Sequence, residues 1–275
     1  MAAIELGRRA VERIWGRDAL PSPFESLADG ECPIGEIWFE APQGHLDLLV
    51  KYLFTSERLS IQVHPDAAQA KQRGLDRGKD EAWLVLDAEP GATIGLGLTH
   101  EVDRDTLRAA ALSGEIEQLL DWRPVAAGEI LYSPAGTVHA IGAGLSVIEI
   151  QQNCDVTYRL YDYGRPRELQ LEEAVSAARP EPWTVGDGPR PAGYGRTVHV
   201  EGGHFVLERW AGARTVELDD AVTLIPLGNC GALGGRPLAA GTVWVTDGPT
   251  RLDLAAGADL LVAYPGSDVR AFEAA

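Results

Sequence analysis

Short apolar runs separated by turn residues fill most of the chain. The runs at 48–54, 59–63, 82–86, 129–132, 138–141 and 146–150 are rich in Val, Ile, Leu, Tyr or Trp, and each is about one strand long. Thirty-one Gly and 17 Pro punctuate the sequence, which predicts strands joined by tight turns rather than a helical bundle. The expected class is all-β, as a sandwich or barrels. Three stretches carry helical spacing instead. Residues 66–73 follow Pro65, expected in the first turn, and stop at Gly74. Residues 103–121 present Leu107 and Ala111 and then, behind Ser113 as a candidate N-cap, Ile116, Leu119 and Leu120. Residues 168–179 place Leu171, Ala174, Val175 and Ala178 on one face. These read as short helices decorating the sheets.

Beyond the third helix, Pro180, Pro182, Gly186, Gly188, Pro189, Pro191 and Gly193 form a stretch that can neither continue a helix nor sit in a central strand. The expected division is therefore a first domain over 1–179, a linker over 180–195 and a second β domain over 196–275. An internal echo supports it: Ala126-Ala127-Gly128-Glu129-Ile130-Leu131-Tyr132 aligns with Ala239-Ala240-Gly241-Thr242-Val243-Trp244-Val245. In the same register His139 falls on Leu252, so the second copy lacks that histidine.

At 275 residues the chain is long enough to bury a core without disulfides, and folding alone is expected. Its formal net charge of −17 repels phosphate backbones and anionic lipids, which disfavours nucleic-acid and membrane partners. An anionic ligand would need a few local cations working against that field. Cys32, Cys154 and Cys230 are widely spaced and form no C-x-x-C pair, so neither a disulfide frame nor a thiolate metal site is indicated. The start carries arginines without a signal-type apolar core, and no apolar run reaches the roughly 18 residues of a membrane span. A soluble cytoplasmic protein is expected.

Candidate chemistry begins at Leu59-Ser60-Ile61-Gln62-Val63-His64-Pro65, where period-two alternation puts Ser60, Gln62 and His64 on one face. Glu81 enters the apolar strand of Lys79-Asp80-Glu81-Ala82-Trp83, and His139 follows the turn Pro134-Ala135-Gly136-Thr137-Val138. Singly, each reads as an edge or core residue. Together, Gln62, His64, Glu81 and His139 offer two imidazoles, one carboxylate and one amide oxygen, a set suited to a borderline divalent ion such as zinc. With one anionic ligand the site keeps a charge near +1, so the ion remains a good Lewis acid.

Residues 147–165, through Glu149-Ile150-Gln151-Gln152 and Thr157-Tyr158-Arg159-Leu160-Tyr161-Asp162-Tyr163-Gly164-Arg165, are dense in polar and aromatic groups. With the three segments above, Trp15-Gly16 and Gly35-Glu36-Ile37-Trp38, they resemble the type I mannose-6-phosphate isomerases of the cupin superfamily, over roughly residues 14–175. The resemblance implies two cupin-type jelly-roll barrels, the second metal-free. It implies one zinc per chain on Gln62, His64, Glu81 and His139, Arg159 as a catalytic residue, and Lys79 and Ser60 as substrate-holding candidates. Glu149 and Asp155 match acidic positions near the family's active site. The implied reaction interconverts mannose 6-phosphate and fructose 6-phosphate through an enediol or enediolate, with Glu149 as first candidate for the base and Lys79 or Asp155 in reserve. Lys79, Arg159, Arg165 and Ser60 are the groups available to the phosphate. Only residues 103–121 stand where longer members carry a helical insertion. Two rivals remain open: an Fe(II) oxygenase, since His64, Glu81 and His139 form a two-histidine, one-carboxylate set, and a non-catalytic sugar-phosphate-binding cupin.

Overall fold

The computed structural model describes residues 3–42, 44, 46–184, 186 and 188–272. Val185 and Asp187 of the expected linker lie outside them. The described strands form four antiparallel sheets. A six-stranded sheet runs in the order Gly7–Arg17, Ile34–Glu40, Leu48–Phe54, Leu145–Gln152, Glu81–Ala88 and Ile130–Ser133. A five-stranded sheet is ordered Tyr158–Tyr161, Ile61–Val63, His139–Ile141, Thr93–Leu98 and Leu120–Pro124. The later part of the chain supplies most of a seven-stranded sheet and all of a four-stranded one. Among the described residues no sheet closes on itself, so the expected barrels are replaced by open sheets.

The six-stranded sheet is covered on both faces, which is why Leu48–Phe54 is buried throughout and reads as an unbroken apolar run. One face carries Ile37, Phe39, Val50, Tyr52, Phe54, Leu84, Ile148 and Ile150. These pack against Val200, Phe205, Leu207, Ile225, Leu261 and Ala263 from the seven-stranded sheet. The two halves of the chain therefore share one core, where each fully buried large side chain contributes about 1.5–3 kcal/mol. The alternate positions, Leu53, Trp83, Val85 and Val147, pack with Ile94, Leu96 and Ile141 of the five-stranded sheet. Glu36, Lys51, Glu81, Glu149 and Gln151 are buried at the same alternation. An ionisable row is thus set into the gap between these two sheets.

The helices are short. Ala67–Gln72 begins at Asp66, whose side chain accepts from Gln69 N–H in a capping box. Pro65 stands before that cap rather than in the first turn. Residues 103–121 divide into Arg104–Ser113, capped by Asp103, and Ile116–Leu119. Gly114, at φ 87°, separates them, so Ser113 ends the first helix and does not cap the second by the expected geometry. The third is Leu171–Ala177.

The sequence echo has a structural counterpart. Glu129 N–H donates to the Ala126 carbonyl and Thr242 N–H to the Ala239 carbonyl, both at 3.2 Å. Each turn carries a left-handed glycine, Gly128 or Gly241, and opens into a strand, Ile130–Ser133 or Trp244–Thr246. The chain also crosses over at its start: Ala3–Glu5 pairs with Trp244–Thr246 and forms an edge of the seven-stranded sheet.

Candidate active site

Strand register gathers the sequence-predicted residues. His139 and Arg159 are both cross-strand partners of Gln62, one on each side. In the facing sheet Glu149 is in register with Lys51 and Trp83, and Gln151 with Glu81. Lys79 and Glu81, two residues apart, share the inner side, while Asp80 turns away to accept from Tyr132 Oη–H at 2.6 Å and Ala135 N–H at 2.8 Å.

His64, Glu81 and His139 each offer one ligand atom, all within 4.8 Å of one another, and all three residues are buried. Glu81 Oε1 lies 3.2 Å from His64 Nε2 and 3.0 Å from His139 Nε2. The opposite ring nitrogens face main-chain carbonyls: His64 Nδ1 is 2.8 Å from Val156 O, and His139 Nδ1 is 2.9 Å from Thr137 O. A carbonyl oxygen can only accept, so each Nδ1 carries a proton. Burial, reinforced by the Lys79 charge, pushes His64 down to about 3. That ring is neutral, and its Nε2 directs a lone pair at a carboxylate oxygen. His64 Nε2 and both Glu81 oxygens are buried with no hydrogen-bond partner. Acceptors held this close without a proton between them fit a cation, and a nitrogen, nitrogen, oxygen donor set suits zinc or a similar divalent ion. Gln62 adjoins the cluster, its Nε2 3.3 Å from His139 Nε2 and its Oε1 accepting from Ser60 Oγ–H at 3.1 Å.

Lys79 Nζ sits 3.1 Å from Glu81 Oε2, a charge contact off the hydrogen-bonding direction. Burial alone would lower the Lys79 ammonium, but Glu81 and Glu149 outweigh it and hold it above its ordinary value. Burial would likewise raise Glu81, yet the Lys79 charge keeps its carboxyl well below the ordinary range. Glu149 behaves differently. Burial raises its carboxyl, with Lys79 pulling it back and Glu81 adding to the rise. Its Oε2 accepts from Trp83 Nε1–H at 3.2 Å, and its Oε1 lies 3.5 Å from Lys51 Nζ. Burial pushes Asp155 upward too, but Lys51, 3.3 Å away, and Lys79 hold it below its ordinary value.

A cavity of about 250 Å³ opens over this floor and brings together Ser60, Gln62, Lys79, Glu149, Asp155 and Arg159. Arg165 is not among its walls. Its guanidinium donates to the Asp162 and Arg58 carbonyls and lies over the Tyr163 ring. Arg167, two residues on, lines the cavity instead. Arg13, Trp15, Glu36, Lys51 and Thr157 are further wall residues not singled out for the site from the sequence. Of these, Lys51 left a signal: a single cation inside the apolar run 48–54.

No family model matches the chain. A mannose-6-phosphate isomerase of Streptococcus mutans is 35% identical over 228 residues, covering 74% of this chain and 70% of the relative. The chain belongs to the mannose-6-phosphate isomerase family. A probable mannose-6-phosphate isomerase of Bacillus subtilis is 31% identical over 247 residues, covering 72% of this chain and 76% of its own length. The solved mannose 6-phosphate isomerase structure from Bacillus subtilis superposes with a TM-score of 0.82 at 27% identity, over 96% of this chain and all of that one. The chain is therefore an enzyme of the mannose-6-phosphate isomerase family, and the cavity over the His64, Glu81 and His139 cluster is its candidate active site. Among the described residues no helix is long and apolar enough to cross a membrane.

Proposed function

We propose that this enzyme interconverts mannose 6-phosphate and fructose 6-phosphate through an enediol or enediolate, at a site holding one zinc ion on His64, Glu81 and His139, with the Gln62 amide oxygen as fourth donor once the amide turns its Oε1 from Ser60 toward the cluster. The observation that carries this reading is the pair of bare acceptors, His64 Nε2 and Glu81 Oε1, 3.2 Å apart and buried behind Gln62 and Lys79, which line a polar cavity. The bound ion would supply Lewis-acid stabilisation to the negative charge that develops on substrate oxygen. Arg159 lines the same cavity and adds a fixed positive charge beside that oxygen. Glu149 is the base that carries the proton between C1 and C2, because burial raises its carboxyl toward working pH and Trp83 and Lys51 fix its orientation. Lys79 and Asp155 are the reserve groups for that proton. Ser60, Asp155 and Lys79 hold sugar hydroxyls.

The paired sheets fit open cupin-type folds, the first carrying the metal over residues 1–179 and the second, over 196–275, metal-free and joined by 180–195. A cytoplasmic enzyme acting on a soluble sugar phosphate is the matching cellular reading. The Fe(II) oxygenase reading is less favoured, because the cavity gathers cations suited to an anionic substrate. Formation of fructose 6-phosphate from mannose 6-phosphate by the purified protein, followed with a coupled assay, tests the proposal. Metal-loaded protein that forms no product contradicts it.

A further inference from the structure

The cavity gathers cations in a chain that is net negative. Arg13, Lys51, Lys79, Arg159 and Arg167 line it beside Glu36, Glu149 and Asp155 in a chain of net charge −17, while Glu81 and Asp162 pair with Lys79 and Arg167 from outside the lining. Lys51 and Lys79 are engaged with Glu149, Asp155 and Glu81. Among the described residues Arg13 and Arg167 each pair with one carboxylate, Glu36 and Asp162, and Arg159 pairs with none, so three guanidiniums share two carboxylates. Arg159 Nε is buried without a hydrogen-bond partner, and Arg159 feels the charges of both Arg167 and Arg13. Like charges gathered in a partly desolvated wall repel, so such a cluster is stabilised by a bound anion.

Both flanking arginines are built into place. The pairing of strands Gly7–Arg17 and Ile34–Glu40 slips between Glu12 and Arg17, so residues 13–16 bulge from the sheet edge. Two glycines permit this excursion. A Cβ on Gly16 would meet the Ile34 main chain at 2.4 Å, and one on Gly35 would meet Arg13 Cβ at 2.4 Å. The bulge carries Arg13 and Trp15 into the cavity wall, where Arg13 Nη2 pairs with Glu36 at 2.6 Å. Arg167 is clamped by buried Asp162, which accepts from Nε at 2.6 Å and Nη2 at 2.7 Å. A guanidinium fixed in this way presents its remaining donors with little entropy left to lose, the geometry suited to a phosphate dianion.

We propose that Arg13 and Arg167 form the pocket for the substrate's phosphate, apart from the metal cluster, and set the preference for phosphorylated over free sugar. Among the described residues neither arginine contacts His64, Glu81 or His139, so phosphate recognition and metal binding are separable. This rests on the isomerase reading above.

The test compares zinc-loaded wild-type enzyme with Arg13→Gln and Arg167→Gln, using mannose 6-phosphate, free mannose, and inorganic phosphate as a competing ligand. Each substitution is expected to raise KM for mannose 6-phosphate by about 10- to 100-fold, with kcat changed by less than about threefold. The inhibition constant of inorganic phosphate should rise by the same factor, while kcat/KM for mannose and the zinc content stay unchanged. Equal losses on mannose and mannose 6-phosphate, or unchanged phosphate inhibition, would overturn the assignment. Should Arg167→Gln leave Asp162 unpaired and fail to fold, Arg13→Gln decides alone. If wild-type protein turns over neither sugar, the isomerase reading has failed separately. Calorimetric titration with inorganic phosphate then still judges the pocket, since binding must be present in wild type and weakened in Arg13→Gln.

Discussion

Arg159 stands directly across from Gln62 in the pairing of strands Tyr158–Tyr161 and Ile61–Val63. The guanidinium and the amide that adjoins His139 therefore occupy one row of the five-stranded sheet, and both line the cavity. A charge held by a sheet register needs little reorganisation when negative charge appears on a nearby oxygen. Arg159→Ala is expected to lower kcat by on the order of 10²-fold with metal content unchanged. Steady-state kinetics with metal analysis checks it, and an unchanged kcat would remove Arg159 from the mechanism.

Glu149 is in register with Lys51 and Trp83 and touches both. As the base it must be ionised, and burial has raised its carboxyl. In wild-type enzyme kcat should fall as pH drops through a midpoint above the ordinary glutamate value of about 4.3. Glu149→Gln should lower kcat by about 10²- to 10⁴-fold and abolish that acid limb. A variant that keeps both rate and limb would assign the proton transfer elsewhere.

His64 is neutral in the folded chain, with its pKa pushed by burial to about 3, against about 6.5 in an unfolded chain. The unfolded state therefore takes up a proton first as pH falls. Stability of the metal-free protein linked to His64 is full above about pH 6.5 and drains away as pH falls from there toward 3. Denaturant titrations between pH 7 and 4 should show this slope, and it should be shallower in His64→Gln. Equal slopes would contradict a buried neutral His64.

Phe205 belongs to the seven-stranded sheet but lies in the core shared with Tyr52, Phe54 and Ile148. Phe205→Ala is expected to cost about 3–5 kcal/mol and to lower one common unfolding transition. Calorimetry that resolves two transitions, only one of them shifted, would contradict a core shared by both halves.

The cluster was legible because strand alternation is a local code. Ser60, Gln62 and His64 share a face by period two, and Glu81 is conspicuous at the mouth of an apolar strand. Lys51 was harder to see, since a sheet buried on both faces hides which alternate positions look into a site. Arg13 depends on a strand slip allowed by Gly16 and Gly35, a close approach between segments some twenty residues apart that no periodicity signals. Arg165 and Arg167 are indistinguishable by spacing. What separates them is Asp162, which takes two nitrogens of Arg167 side on, while Arg165 reaches the Asp162 and Arg58 carbonyls. Closed barrels were expected from strand number and turn density, which do not encode whether edge strands meet.

In the proposed reaction His64, Glu81 and His139 hold a divalent ion on which isomerisation depends. The most direct measurement strips the purified enzyme with a chelator, assays fructose 6-phosphate formation, and then restores zinc while metal content is quantified. Activity is expected to vanish with the metal and to return as occupancy approaches one ion per chain, with no recovery in Glu81→Gln. Full activity in protein shown to be metal-free would contradict it.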